Sequence, residues 1–149
     1  MRKLLILIFL CIACGSSEDE SRLPPETGVF DIVSTLDGAA CENSITLSVN
    51  GIKTVSIDQI YNKYILSMYE LDENGTEMKL KIADSDNGYN FTGGISGNFP
   101  GTNCHVDMAW AIILNYTGGG FIGKNINRMV MECAPGNCTE KWDIKGTRR

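Results

Sequence analysis

Six cysteines, one histidine and a few acidic turn residues are the side chains of this chain with the chemistry to crosslink, ligate or catalyse. His105 neighbours Asp107 on one strand face, and a carboxylate so placed can orient an imidazole. A hydrolase also needs a nucleophile beside that imidazole, and no serine or cysteine motif surrounds His105. Gly93-Gly94-Ile95-Ser96-Gly97 lacks the G-x-S-x-G spacing and has no helix after it, so its glycines read as a bend or a close strand approach. Asp84 and Asp86 beside Asn87-Gly88 fall short of the D-x-D-x-D-G calcium pattern and read as turn chemistry. No catalytic residue and no cofactor is expected.

Cys41, Cys104, Cys133 and Cys138 form an even set in the body of the chain. In an exported protein they read as two disulfides, with three connectivities possible. Cys133 and Cys138 bracket a Pro135-Gly136 turn and could face each other across a hairpin. That leaves Cys41 with Cys104, a long loop whose closure contributes about 4 kcal/mol. Zinc is the rival use of four thiols, but the paired CxxC spacing of structural zinc sites is missing. No metal is expected.

Whether the cysteines are oxidised depends on where the chain resides, and its first residues bear on that. Met1-Arg2-Lys3 is basic, and Leu4 to Ile12 is an apolar run too short for a bilayer, which needs roughly 20 residues. Ile12-Ala13-Cys14 resembles the lipobox of bacterial lipoproteins, with Cys11 where Leu is usual. The resemblance implies a signal peptide over 1–13 and lipidation of Cys14, palmitate included, as the first mature residue. An ordinary signal peptide cut near Ala13 or Ser16 is the alternative. Gly15 is not the Asp that favours inner-membrane retention, so the resemblance implies the outer membrane, on its periplasmic side or at the cell surface. Residues 14–27 read as an acidic tether, stiffened by Leu23-Pro24-Pro25 before a folded body over 28–149.

The formal charge is −5 over 149 residues, and cleavage of the signal would remove Arg2 and Lys3. Such a balance is no footprint for nucleic acid. The chain beyond residue 13 is long enough for one domain and too short for two.

From Gly28 onward the chain reads as all-β. Asn43 to Val49 alternates apolar and polar, and Asn50-Gly51 predicts a two-residue hairpin turn. Val55 and Ile57 fall opposite the face which that turn predicts, so a bulge is expected there. Tyr61 to Leu71, Glu77 to Ala83 and Tyr89 to Gly97 form a three-stranded meander. Two-residue turns at Asn74-Gly75 and Asn87-Gly88 would pair Tyr69 with Leu80, Glu70 with Lys79, Leu71 with Met78, Ile82 with Gly93 and Leu80 with Ile95. Tyr69, Leu71, Leu80, Ile82, Phe91 and Ile95 then share one face. Cys104 to Leu114 presents Cys104, Val106, Met108, Trp110, Ile112 and Leu114 inward. Phe121 to Cys133 loses its alternation, with Ile122, Ile126 and Val130 opposing Met129 and Met131, and a kink near Asn125 to Asn127 would reconcile them. Thr139 to Arg148 places Trp142 and Ile144 inward.

Eight or nine strands in sequential hairpins predict a small antiparallel meander closing, or nearly closing, into an up-and-down barrel, with a β-sandwich as the alternative. Barrels of eight strands hold at most one small molecule. Tyr69, Leu80, Phe91, Trp110 and Trp142 are the candidate lining residues, and a filled core is the competing use of the same side chains. Gly28-Val29-Phe30 and Arg148 resemble the lipocalin ends, where Gly-x-Trp opens the first strand and a late basic residue covers the Trp. Phe30 stands in place of that Trp, and the lipocalin C-terminal helix has no counterpart. The expected function is thus a membrane-anchored binding module, for an unidentified protein, glycan or small apolar ligand; the lipocalin likeness implies a carrier.

Overall fold

Short runs of alternating side chains, punctuated by Gly, Asn and Asp, bury one face per strand and pair with their sequence neighbours. The computed structural model describes residues 22–41, 54–71, 76–98, 101–133 and 136–149. Eight antiparallel strands are seen there: β1 (Gly28–Cys41), β2 (Thr54–Ile60), β3 (Lys63–Leu71), β4 (Glu77–Ser85), β5 (Asn90–Asn98), β6 (His105–Tyr116), β7 (Gly120–Met131) and β8 (Gly136–Arg148). Each pairs with the next, and β1 pairs with β8, so the sheet closes into an up-and-down barrel rather than a sandwich. The lipobox with Cys14, the strand over 43–49 and the turns at Asn50-Gly51 and Asn74-Gly75 lie outside the described residues, as does the Leu80 side chain.

The two barrel ends differ. At one end the connections are short, and Arg22–Thr27 lies across them as a strap. The Tyr89 hydroxyl donates to the Leu23 carbonyl at 3.0 Å, and the Gly119 amide donates to the Glu26 carboxylate at 2.9 Å. Pro25 sits against Gly88, which adopts φ +75° and has no room for a Cβ beside that ring. Cys104–Cys133 bridges the opposite end, joining the residue before β6 to the second residue after β7. This excludes the expected Cys133–Cys138 hairpin bridge. Cys138 is itself disulfide-bonded, and its register partner on β1 is Cys41.

β6 and β8 bury the faces expected of them, including Trp110, Ile112, Leu114, Trp142 and Ile144. The meander departs from expectation. Beside its turn, β3 pairs Leu71 with Glu77, Glu70 with Met78 and Tyr69 with Lys79. A register shift after Tyr69 then aligns Met68 with Lys81 and Leu66 with Ala83, the register that the turn argument required throughout. Residues 86–89 form a wider connection than a two-residue turn. Ser85 Oγ accepts from the Asn87 and Gly88 amides, and Asn87 Oδ1 accepts from Tyr89 and Asn90. β4 and β5 consequently align Asp84 with Thr92, one residue from the expected pairing. That slip sends Ile82 outward while Leu66, Met68, Ala83 and Phe91 fill the interior; Ile95 keeps the parity of Phe91 but is exposed.

β7 has no kink: it runs in unbroken register from Phe121 to Met131 against both β6 and β8. Its alternation looked broken because Asn125 and Asn127 are the buried side chains, whereas Ile122 faces out.

Candidate functional site

The register of β5 with β6 pairs Asn98 with His105 and Ser96 with Asp107 on the outer face. Ser96 Oγ lies 3.0 Å from His105 Nε2, and Asn98 Oδ1 lies 3.3 Å from His105 Nδ1. Asp107 Oδ1 is 3.4 Å from the same Nε2. With the ring proton on Nδ1 donated to Asn98, Nε2 is free to accept from the serine, the connectivity of a nucleophile, a base and an orienting group. Sequence reasoning weighed Ser96 only as part of a nucleophile elbow and missed its partner, because His105 is nine positions away and is reached only through pairing of the strands. The serine's single hydroxyl proton, donated instead to Asp107, holds that carboxyl below the usual range, with the imidazole adding to the shift. Ser96 lies two residues from the end of β5 and His105 opens β6, both within the β5–β6 ladder, and an oxyanion needs preorganised donors.

Two partly apolar depressions are among those on the outer surface. One, of about 510 Å³, lies beside this cluster, lined by Ile95, Asp107, Ala109, Arg128 and Val130 among others. The other, of about 480 Å³, is lined by Val33, Ile122, Lys124 and Asp143 among others. Lys124 bridges Asp37 and Asp143 at 3.1 Å each, and these partners, Asp37 first, raise its pKa. Val33 is 68% exposed and Ile122 51%, so this face is partly apolar.

Inside the barrel, Phe91, Trp110 and Trp142 are buried as expected. Tyr69 is not a lining residue. It lies under the Lys79 ammonium, 5.5 Å from the ring centre, and hydrogen bonding to Ser56 is the main cause of its lowered phenol pKa. The buried apolar side chains form two clusters. The larger includes Phe30, Phe91, Phe121, Trp110 and Trp142; the smaller contains Cys104, Val106, Met129 and Cys138. Glu140, Asn125 and Asn127 are buried on the same inward face of β7 and β8. The Trp142 indole donates to Glu140 Oε2 at 3.2 Å, and Asn125 Oδ1 has no hydrogen-bond partner. None of these three was singled out from sequence; the lost alternation of β7 was their signal.

Asp84 and Asp86 both lie near Lys63, at 3.2 and 3.8 Å, an ordinary surface ion pair at a turn. Among the described residues, no three His, Cys, Asp or Glu side chains converge on a point. No protein-family model, no curated protein and no solved structure matches the chain.

Proposed function

We propose that the chain is an exported lipoprotein, tied to the outer membrane through lipid on Cys14, whose barrel is a non-catalytic binding module. The observation that supports it best is the strap. Arg22–Thr27 is pinned across one barrel end by Tyr89, Gly88 and Gly119, so the preceding residues leave from that end. Seven residues separate Cys14 from Arg22, a reach of at most about 29 Å from Cα to Cα. A lipid there would set the strapped end toward the membrane and the Cys104–Cys133 end away from it. A strand-borne Ser96 shared with Asp107 favours recognition over acyl transfer.

The test is the full-length chain in a Gram-negative host, with detergent phase partition and intact mass. Wild type is expected in the detergent phase with a diacyl or triacyl mass on Cys14, and Cys14→Ala in the aqueous phase. A wild-type chain without that mass overturns the anchor.

A carrier of a small ligand inside the barrel is the second reading. Arg148 stands opposite Phe30 in the β1–β8 register, as the lipocalin likeness implies, and the buried acceptors of β7 and β8 favour an interior ligand.

A further inference from the structure

Tyr61 is the one non-glycine residue with a positive φ, 55°, among the described residues. With Asn62 it makes the two-residue turn between the paired Ile60 and Lys63. Left-handed backbone suits glycine, and for a bulky side chain it is an outlier. The chain carries Asn-Gly at 50–51, 74–75 and 87–88, yet this turn holds an aromatic. The barrel itself draws little from that ring, because Tyr61 is 95% exposed and Ile60 beside it 52%. Strain of this kind persists where a function uses the side chain.

The tip stands clear of the barrel rim. β1 begins at Gly28, opposite Ile57, and β2 runs three residues beyond Ile57, about 10 Å of strand, before the turn. Lys63 lies 3.2 Å from Asp84 and 3.8 Å from Asp86, which braces the base of the tip against the β4–β5 connection. This is the strapped end. Gly88 abuts both Tyr64, at the base of the tip, and Pro25 of the strap. Leu23 of the strap is a further exposed apolar side chain there.

Isoleucine beside a tyrosine, an apolar pair with one polar hydroxyl, suits the layer between lipid headgroups and acyl chains, where one end of the ring stays wet. The residues before Arg22 leave from this same end, so lipid on Cys14 brings bilayer to the end that carries the tip. Asp58, Asp84 and Asp86 lie around its base, so anionic headgroups are not what attracts it. We infer that Ile60 and Tyr61 rest in the interfacial layer of the bilayer, a second membrane contact that fixes how the tethered barrel stands. The inference rests on the proposed anchor at Cys14 and adds to it the part of the barrel that meets lipid.

The test holds the chain on phosphatidylcholine vesicles whose acyl chains carry bromine near the headgroup. Lipid on Cys14 holds it there; an unlipidated chain is held instead by an N-terminal hexahistidine tag on nickel-chelating lipid. The mass on Cys14 thus decides the anchor, and quenching decides the tip. Trp110 and Trp142 are buried, so bromine is expected to leave wild-type emission nearly unchanged. The indole added by Tyr61→Trp is expected to be quenched about twofold or more, as for a side chain at interfacial depth. One added by Glu132→Trp, exposed near the Cys104–Cys133 end, is expected to be quenched little. Tyr61→Gly removes strain and ring together and is expected to keep or raise the urea midpoint. No quenching at Tyr61→Trp overturns the contact and leaves the tip to a protein partner, and equal quenching at Glu132→Trp overturns the orientation. A lowered midpoint in Tyr61→Gly would mean that the fold itself favours the tyrosine, which removes the reason for an outside contact.

Discussion

The indole Nε1–H of Trp110, on β6, donates to the backbone carbonyl of Ile82, on β4, 3.1 Å away and past the intervening strand β5. The bond passes Gly93, where a Cβ would meet both the Ile82 oxygen and the Trp110 ring. β4 and β5 share the single register pair Asp84–Thr92, so this side chain reinforces the most sparsely paired seam of the barrel.

Gly93→Ala is therefore expected to destabilise the fold by about 1–3 kcal/mol, since backbone and a buried ring must both shift. Gly97 has nothing within 4 Å of its own notional Cβ, so Gly97→Ala is expected to be near neutral. Urea melts of the two variants check this; equal midpoints would remove the role assigned to Gly93.

The cysteine pattern is expected to yield two linked peptides on non-reducing digestion, Cys104 with Cys133 and Cys41 with Cys138. The first is a bond of the structure, spanning 29 residues; the second is implied by a bridged Cys138 standing opposite Cys41. Replacing Cys104 and Cys133 together with Ala is expected to cost about 3–4 kcal/mol. Recovery of a Cys133–Cys138 peptide would contradict the pairing.

Asp107 is expected to titrate below the usual carboxylate range, because Ser96 donates to its ionised form. A depressed folded-state pKa contributes stability above the unfolded-state value and loses it as pH falls through the folded one. Carbon-13 carboxyl titration should show the Asp107 value rising in Ser96→Ala. An unchanged value would mean that the serine bonds His105 alone.

Tyr116 is buried, and burial pushes its phenol well above the ordinary value, with Tyr64 and Tyr89 adding to the shift. Its hydroxyl donates to the Gly88 carbonyl at 2.9 Å. A raised folded-state pKa means stability that is intact below about pH 10 and falls as pH climbs toward the folded value. Absorbance at 295 nm should show one of the five tyrosines ionising only as the barrel unfolds. A phenol that ionises in the intact barrel would mean that Tyr116 is accessible to hydroxide.

The expectations that held depend on chain neighbours alone. Strict alternation in Cys104 to Leu114 and in Thr139 to Arg148 named the buried faces of β6 and β8, because successive side chains on a strand point to opposite sides. Sequential strands with short connections, and the liability of open edges, were enough to predict closure into a barrel. Partner and register are different quantities, set by residues far apart in the chain. A shift beside Tyr69 and a widened Ser85–Asn90 connection moved Ile82 outward, although its own segment was read correctly as a strand. The same non-local pairing placed Ser96 on His105 and joined Cys104 to Cys133. On β7, hydropathy pointed the wrong way, because an interior with a carboxylate and two tryptophans accommodates asparagines where a uniform core would take apolar side chains. Alternation therefore declared the strands and their closure, and long-range packing chose which faces, partners and polar groups met inside.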